Sequence, residues 1–243
     1  MKGYIYGVFG NGYLLKYNRE KAINCFEKAM LYNTKNILAM YNYGLILLQD
    51  GDFKRAFELF FKSKELNDKK ASKKSFVPAT LNRTILLQKN IPLAIASTYW
   101  RLNDMSKAIS TLEDLRKKYD YVSPNTLTTL GYFYLLIKDY EKAKEMSQLA
   151  IDDDENFASA WDNMGQIYLE QNDLKTAKEK FLKAVTLNPK SVDSLYNLGT
   201  IEEKENNKSK ALEYFKKALD CNITSLNTVT RETIENKIEE LSS

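Results

Sequence analysis

Ala177, Phe181 and Ala184 stand at i, i+4 and i+7, so they share one face of a helix. Two small residues flank a large one on that face. Helices pack closely only where a Gly or Ala lets their backbones approach, and the large side chain fills the gap beside it. The same arrangement returns along the chain. Ala143, Ala177 and Ala211 are 34 residues apart, as are Ala150, Ala184 and Ala218, and Gly131, Gly165 and Gly199. Phe181 and Phe215 keep the step, with Ser147 one period earlier. Upstream, Gly10 and Gly44, Ala22 and Ala56, and Phe26 and Phe60 are again 34 apart. A fixed period of this length predicts stacked helix pairs.

Six units follow, at 3–36, 37–70, 89–123, 124–157, 158–191 and 192–225, in one all-α domain over 1–243. The third is one residue longer than 34 and departs from the others, with Ile95–Ala96 and Leu115 at positions that elsewhere end in Gly and carry Ala. In the first, Gly3, Gly7 and Gly12 each weaken the opening helix by about 1 kcal/mol, which predicts a frayed element. Two segments fall outside the period. Residues 71–88 are an insertion, because Ala56 and Ala108 are 52 apart. Ser75-Phe76-Val77-Pro78 reads as a helix start and Leu81, Ile85 and Leu86 as a short apolar face. An inserted helix of about 10 to 12 residues is expected there. Asn90 then caps a new helix with Pro92 in its first turn. Residues 226–243 form the second segment: Thr230 is a candidate N-cap, Val229 and Ile234 a hydrophobic staple, and Ile234, Ile238 and Leu241 one apolar stripe. A stack of repeats needs such a capping helix to cover its last apolar face.

Within one unit the order Trp161-x-x-Met164-Gly165-x-x-Tyr168, then Ala177, Phe181, Ala184 and Pro189, resembles the tetratricopeptide repeat, over nearly the whole chain. The resemblance implies a right-handed superhelical solenoid whose first helices line a concave groove for an extended peptide or a helix. It implies protein binding without catalysis. Carried over position by position, the groove includes Tyr41, Asn42, Leu45, Leu48, Trp100, Arg101, Tyr132 and Leu136, a largely apolar and aromatic set. Farther along it includes Asn163, Gln166 and Asn197, beside the acids Asp162, Glu170, Asp193 and Glu203. A partner with apolar anchors and a basic flank would suit these two halves. Trp100, beside Arg101 and with Tyr132 in the set, has the composition of a binding hot spot; packing against the insertion is the alternative. Trp161 falls at a packing position of the signature and is expected in the core.

The clamp with which some family members grip a chaperone's C-terminal carboxylate needs Lys, Asn, Asn, Lys and Arg at fixed positions. This chain offers Thr128, Tyr132, Asn163, Asp193 and Asn197 in one register and Gly7, Asn11, Asn42, Asn90 and Ala94 in another. No such clamp is expected. Two other classes stay open. One is a self-associating structural module whose groove is filled by the insertion or by a second copy. The other is a helical-repeat nucleic-acid binder, against which the four groove acids stand.

Composition narrows the chemistry. The 243 residues are 44% hydrophobic and 28% charged, which suits a folded chain. Histidine is absent, which removes Ser-His and Cys-His mechanisms and the commonest metal ligand. Cys25 and Cys221 are 196 residues apart, so no CxxC pair or disulfide framework exists and a reduced, cytoplasmic protein is expected. A net charge of +4 is well short of a nucleic-acid-binding face. No apolar run reaches membrane length and no signal peptide is recognisable, so no membrane partner is expected. Asp152-Asp153-Asp154-Glu155 lacks the alternation and Gly turn of a calcium loop and reads as a solvated junction. Gly7 to Gly12 has no phosphate-loop spacing. Lys62, Lys64, Lys69, Lys70, Lys73 and Lys74 form a basic cluster interrupted by Glu65 and Asp68, read as a soluble linker. No cofactor or metal is expected.

Overall fold

The computed structural model describes residues 1–71 and 78–242, and of 78–85 the backbone alone. The described residues form thirteen α-helices and no strand. They group into two compact units, Met1–Lys118 and Tyr119–Ser243. The first holds α1 (Lys2–Leu15), α2 (Arg19–Leu31), α3 (Ile37–Asp50), α4 (Phe53–Ala71), α5 (Pro78–Arg101) and α6 (Met105–Lys118). The second holds α7 (Pro124–Leu136), α8 (Tyr140–Asp153), α9 (Ala158–Glu170), α10 (Leu174–Leu187), α11 (Val192–Lys204), α12 (Lys208–Leu219) and α13 (Arg231–Ser242). Each odd-numbered helix up to α11 packs on the helix that follows it.

One turn design joins the pairs. Tyr17, Asn103, Lys138, Asn172 and Asn206 adopt φ between 54° and 64°, and Gly51 adopts 88°. A left-handed residue stops the first helix. The next residue, Asn18, Asp52, Asp104, Asp139 or Asp173, then accepts a hydrogen bond from the backbone N–H three positions on, at 3.1–3.3 Å. That bond satisfies an otherwise orphaned donor and starts the second helix. Asn207 occupies the same place in the last pair without a side-chain cap.

Inside each pair, small residues let a phenyl ring reach the partner backbone. Phe26, Phe60, Phe181 and Phe215 are fully buried, and so are the alanines around them. A Cβ built on Gly165 would lie 2.7 Å from the Phe181 ring, so that position has room for hydrogen only. The same constraint explains α1. Gly3, Gly7 and Gly10 are its buried residues, and a Cβ on Gly3 would lie 2.7 Å from the Tyr32 carbonyl oxygen. The expected fraying is therefore corrected. The glycines are contact positions, and the packing they permit holds the helix from Lys2 to Leu15.

The insertion also differs from expectation. No break separates an inserted helix from the third unit; α5 runs continuously from Pro78 to Arg101 with Pro92 inside it. Leu87, Ile91, Ala94, Ile95 and Thr98 are buried at i, i+4, i+7, i+8 and i+11, one stripe that crosses the proline. Burial of that stripe offsets the hydrogen bond that Pro92 removes. Asn90 is thus an interior residue, and Ser75 to Val77 lie outside the described residues.

At the other end α13 is the expected capping helix. Thr230 Oγ1 accepts from the Thr233 N–H at 3.1 Å. Ile234 is fully buried with Val192, Leu195 and Phe215, and Val229, Ile238 and Leu241 pack against the same cluster. Two positions test the role of small residues. Gly165→Ala forces a methyl into the Phe181 ring and should cost about 1–3 kcal/mol in urea unfolding. Gly12 faces open space, so Gly12→Ala should instead stabilise by up to about 1 kcal/mol through helix propensity.

Candidate functional site

In the second unit the first helices α7, α9 and α11 lie side by side. Leu135, Leu136, Lys138, Gln166, Leu169, Glu170, Asn197 and Thr228 line a concave pocket of about 230 Å³ between them. Of the residues expected in the groove, Leu136, Gln166, Glu170 and Asn197 line it. Leu136 is exposed, and Tyr132 stands half-buried one turn before it. A leucine floor with an amide on each neighbouring helix can seat an apolar side chain and hydrogen-bond a peptide backbone.

Asn163 does something else. It is 5% exposed, and its Nδ2 donates to the Thr128 carbonyl at 2.7 Å. It ties α9 to α7. Asn42 in the first unit behaves alike, donating to Asn11 Oδ1 at 2.9 Å across α3 and α1. Both were expected in the groove; short amides at this register meet the preceding repeat first.

The groove acids are also engaged. Asp162 accepts from Gln166 Nε2 at 2.6 Å and from Ser194 Oγ at 2.5 Å. Burial, with the charge of Asp193 adding to it, pushes the Asp162 carboxyl up to about 6, against the pull of those two hydrogen bonds. Asp193 accepts from Asn227 Nδ2 and from the Thr228 N–H, each at 2.8 Å. Glu203 pairs with Lys237 of α13 at 3.1 Å. The loop before α13 is thus pinned to the face that was expected to read a basic flank. Glu170 remains exposed at the pocket. The loop carries no periodic signal, which is why sequence reasoning missed it.

In the first unit Tyr41 tilts against Phe60 with ring centroids 5.9 Å apart, and burial raises the pKa of its phenol. Leu45 is half-buried. Leu48 is 2% exposed, a core residue that faces no partner. The Arg101 guanidinium lies 4.7 Å from the Trp100 ring centroid and 5.5 Å from that of Phe53. Trp161 is half-buried rather than in the core: its indole N–H donates to the Glu155 carbonyl at 2.8 Å, with Lys180 Nζ 5.2 Å from the ring centroid. The basic cluster is paired in part, Lys64 with Asp68 at 3.0 Å and Lys69 with Glu65 at 2.6 Å; Lys73 and Lys74 lie outside the described residues. Among the described residues, no group of three His, Cys, Asp or Glu could hold a metal ion, and no helix is long and apolar enough to cross a membrane.

Family models described as tetratricopeptide repeat match residues 93–120, 124–156 and 163–225, and a Sel1 repeat model matches 4–29 and 37–68. Comparison with curated proteins finds no match. Solved structures share the fold. Yeast Tom70 is 16% identical with a TM-score of 0.62, over 98% of this chain and 46% of its own. TTC0263, a thermophilic tetratricopeptide protein of Thermus thermophilus, is 15% identical with a TM-score of 0.64, over 85% of this chain and 98% of its own. The APC/C hetero-tetramer Cut9–Hcn1 supplies a chain 14% identical with a TM-score of 0.70, over 100% of this chain and 43% of its own. The present chain therefore spans about half the length of Tom70.

Asp162 gives a pH prediction. A carboxyl raised to about 6 in the fold stabilises most while protonated, and its contribution falls as pH rises from the unfolded value toward 6 and above. Asp162→Asn removes that dependence. Relative to wild type, the variant should gain on the order of 1–3 kcal/mol between pH 4.5 and 7.5 in urea unfolding. A difference that stays constant over this range would mean that Asp162 ionises as an ordinary surface carboxylate.

Proposed function

We propose, for a chain that belongs to the tetratricopeptide repeat family, a non-enzymatic role as a protein-interaction scaffold. The observation that carries this reading is the pocket lined by Leu136, Gln166 and Asn197, on three successive first helices. The ligand is an extended segment of a partner protein. One apolar side chain seats against Leu135, Leu136 and Leu169, while the amides of Gln166 and Asn197 hold its backbone. Lys138 and Glu170 border the same pocket, so the flanks of the segment are read by one charge of each sign, with Glu170 taking the basic residue. Tyr41, Leu45, Trp100 and Arg101 supply a second contact surface, in the first unit. The cysteines Cys25 and Cys221 are unpaired, which suits a reducing compartment such as the cytoplasm.

A peptide library displayed against the full chain tests this reading. Selected peptides should share an apolar anchor. Leu136→Ser with Gln166→Ala should weaken them at least about tenfold, the cost of one hot-spot truncation. Circular dichroism should be unchanged, because Leu136 is exposed and Gln166 only half-buried. Equal binding by wild type and variant would remove the pocket from the function.

A further inference from the structure

Helices α1 and α13 present their apolar residues in opposite senses. At α13 the apolar stripe turns inward onto the last pair, and the outward side chains include Arg231, Glu232, Glu235 and Glu239. At α1 the order is reversed. Gly3, Gly7 and Gly10 take the inward face, and the outward face is apolar: Tyr4, Ile5, Val8 and Phe9 are each about half exposed and Leu15 is 84% exposed. A contiguous exposed apolar patch of this kind marks a contact site. Tyr17, just past the helix, is 97% exposed.

Charge indicates what covers this face. Residues 1–19 contain no Asp or Glu, and the first acid is Glu20. Lys2 and Lys16 bracket the helix and are exposed; at roughly 100° per residue Lys16 lies on the apolar face and Lys2 at its edge, with the Lys2 Nζ 5.7 Å from the Tyr32 ring centroid. Arg19 follows, already paired with Asp50. A second copy is a poor complement. Apposed α1 helices, in either direction, bring lysines together in an apolar contact with no carboxylate from either side. An anionic bilayer surface fits both properties. Its interior accepts the aliphatic and phenyl groups, its interface suits tyrosine, and its headgroups meet the lysines.

We propose that the outer face of α1 docks this protein on anionic lipid surfaces, with Val8 and Phe9 inserted into the interface and Lys2 and Lys16 against the headgroups. The helix lies on the membrane and does not span it. The peptide pocket is built from α7, α9 and α11, so the two sites share no residue.

Flotation of the full chain tests the proposal. Vesicles of phosphatidylcholine are compared with vesicles containing about one-third phosphatidylserine. Wild type should float with the anionic vesicles and bind neutral ones at least tenfold more weakly. Its affinity should fall between 0.1 and 0.5 M salt. Val8→Glu with Phe9→Glu should lose binding at least tenfold; Lys2→Gln and Lys16→Gln should each lose about fivefold. The substituted side chains are exposed, and the lipid and salt dependence of wild type stands even if a variant misfolds. Three results would overturn the proposal. They are no flotation with either vesicle, flotation indifferent to the α1 substitutions, and a wild-type dimer in sedimentation velocity that Val8→Glu with Phe9→Glu dissolves.

Discussion

Close approach of paired helices is the constraint on which the other features rest. Where Gly165 meets Phe181, or Gly199 meets Phe215, an added Cβ would lie under 3 Å from the ring. The ring can fill the pair only because the facing backbone has nothing there. With that contact made, the two helices of a pair sit at one separation, and the next first helix is placed alongside. The side-by-side order of α7, α9 and α11, and so the pocket among them, is a consequence of this packing. At α7 and α8 the ring is absent: Ser147 takes its place and Met146, almost fully buried, fills part of the volume beside Gly131.

Much of this was legible in the sequence because packing positions repeat with a strict period. The Gly, Ala and Phe series predicted which residues are buried, and Thr230, Ile234 and Ile238 marked the capping helix. What failed to read correctly did so for identifiable reasons. Helix propensity alone marks the glycines of α1 as weak points and says nothing of the contact they make possible. Pro92 reads as a boundary by its missing N–H, although the stripe from Leu87 to Thr98 continues across it. The left-handed residue and Asp or Asn cap between helices was in plain view, with Asn18 and Asp52, and Asp139 and Asp173, 34 apart.

The groove was the least legible part. Leu136, Gln166 and Asn197 line one pocket. Register cannot tell a side chain that faces a partner from one that reaches the neighbouring repeat. Asn42 and Asn163 hydrogen-bond across first helices, and Leu48 turns into the core. Nor does register foresee that Asn227 and Thr228 satisfy Asp193. A buried or half-buried carboxylate needs donors, and the nearest ones belong to the chain itself. The proposed recognition surface is therefore narrower and less acidic than the pattern of residues implied.

The chain holds two tryptophans, and they fall in different compact units, Trp100 in Met1–Lys118 and Trp161 in Tyr119–Ser243. Their surroundings are chemically distinct: a guanidinium lies over one ring, while the other indole is hydrogen-bonded to a carbonyl with an ammonium nearby. Each unit thus carries its own intrinsic fluorophore. Replacing either tryptophan by phenylalanine leaves an emission signal that reports on one half of the molecule alone. Whether the halves melt together or in sequence becomes a matter of overlaying two curves, with no external label attached.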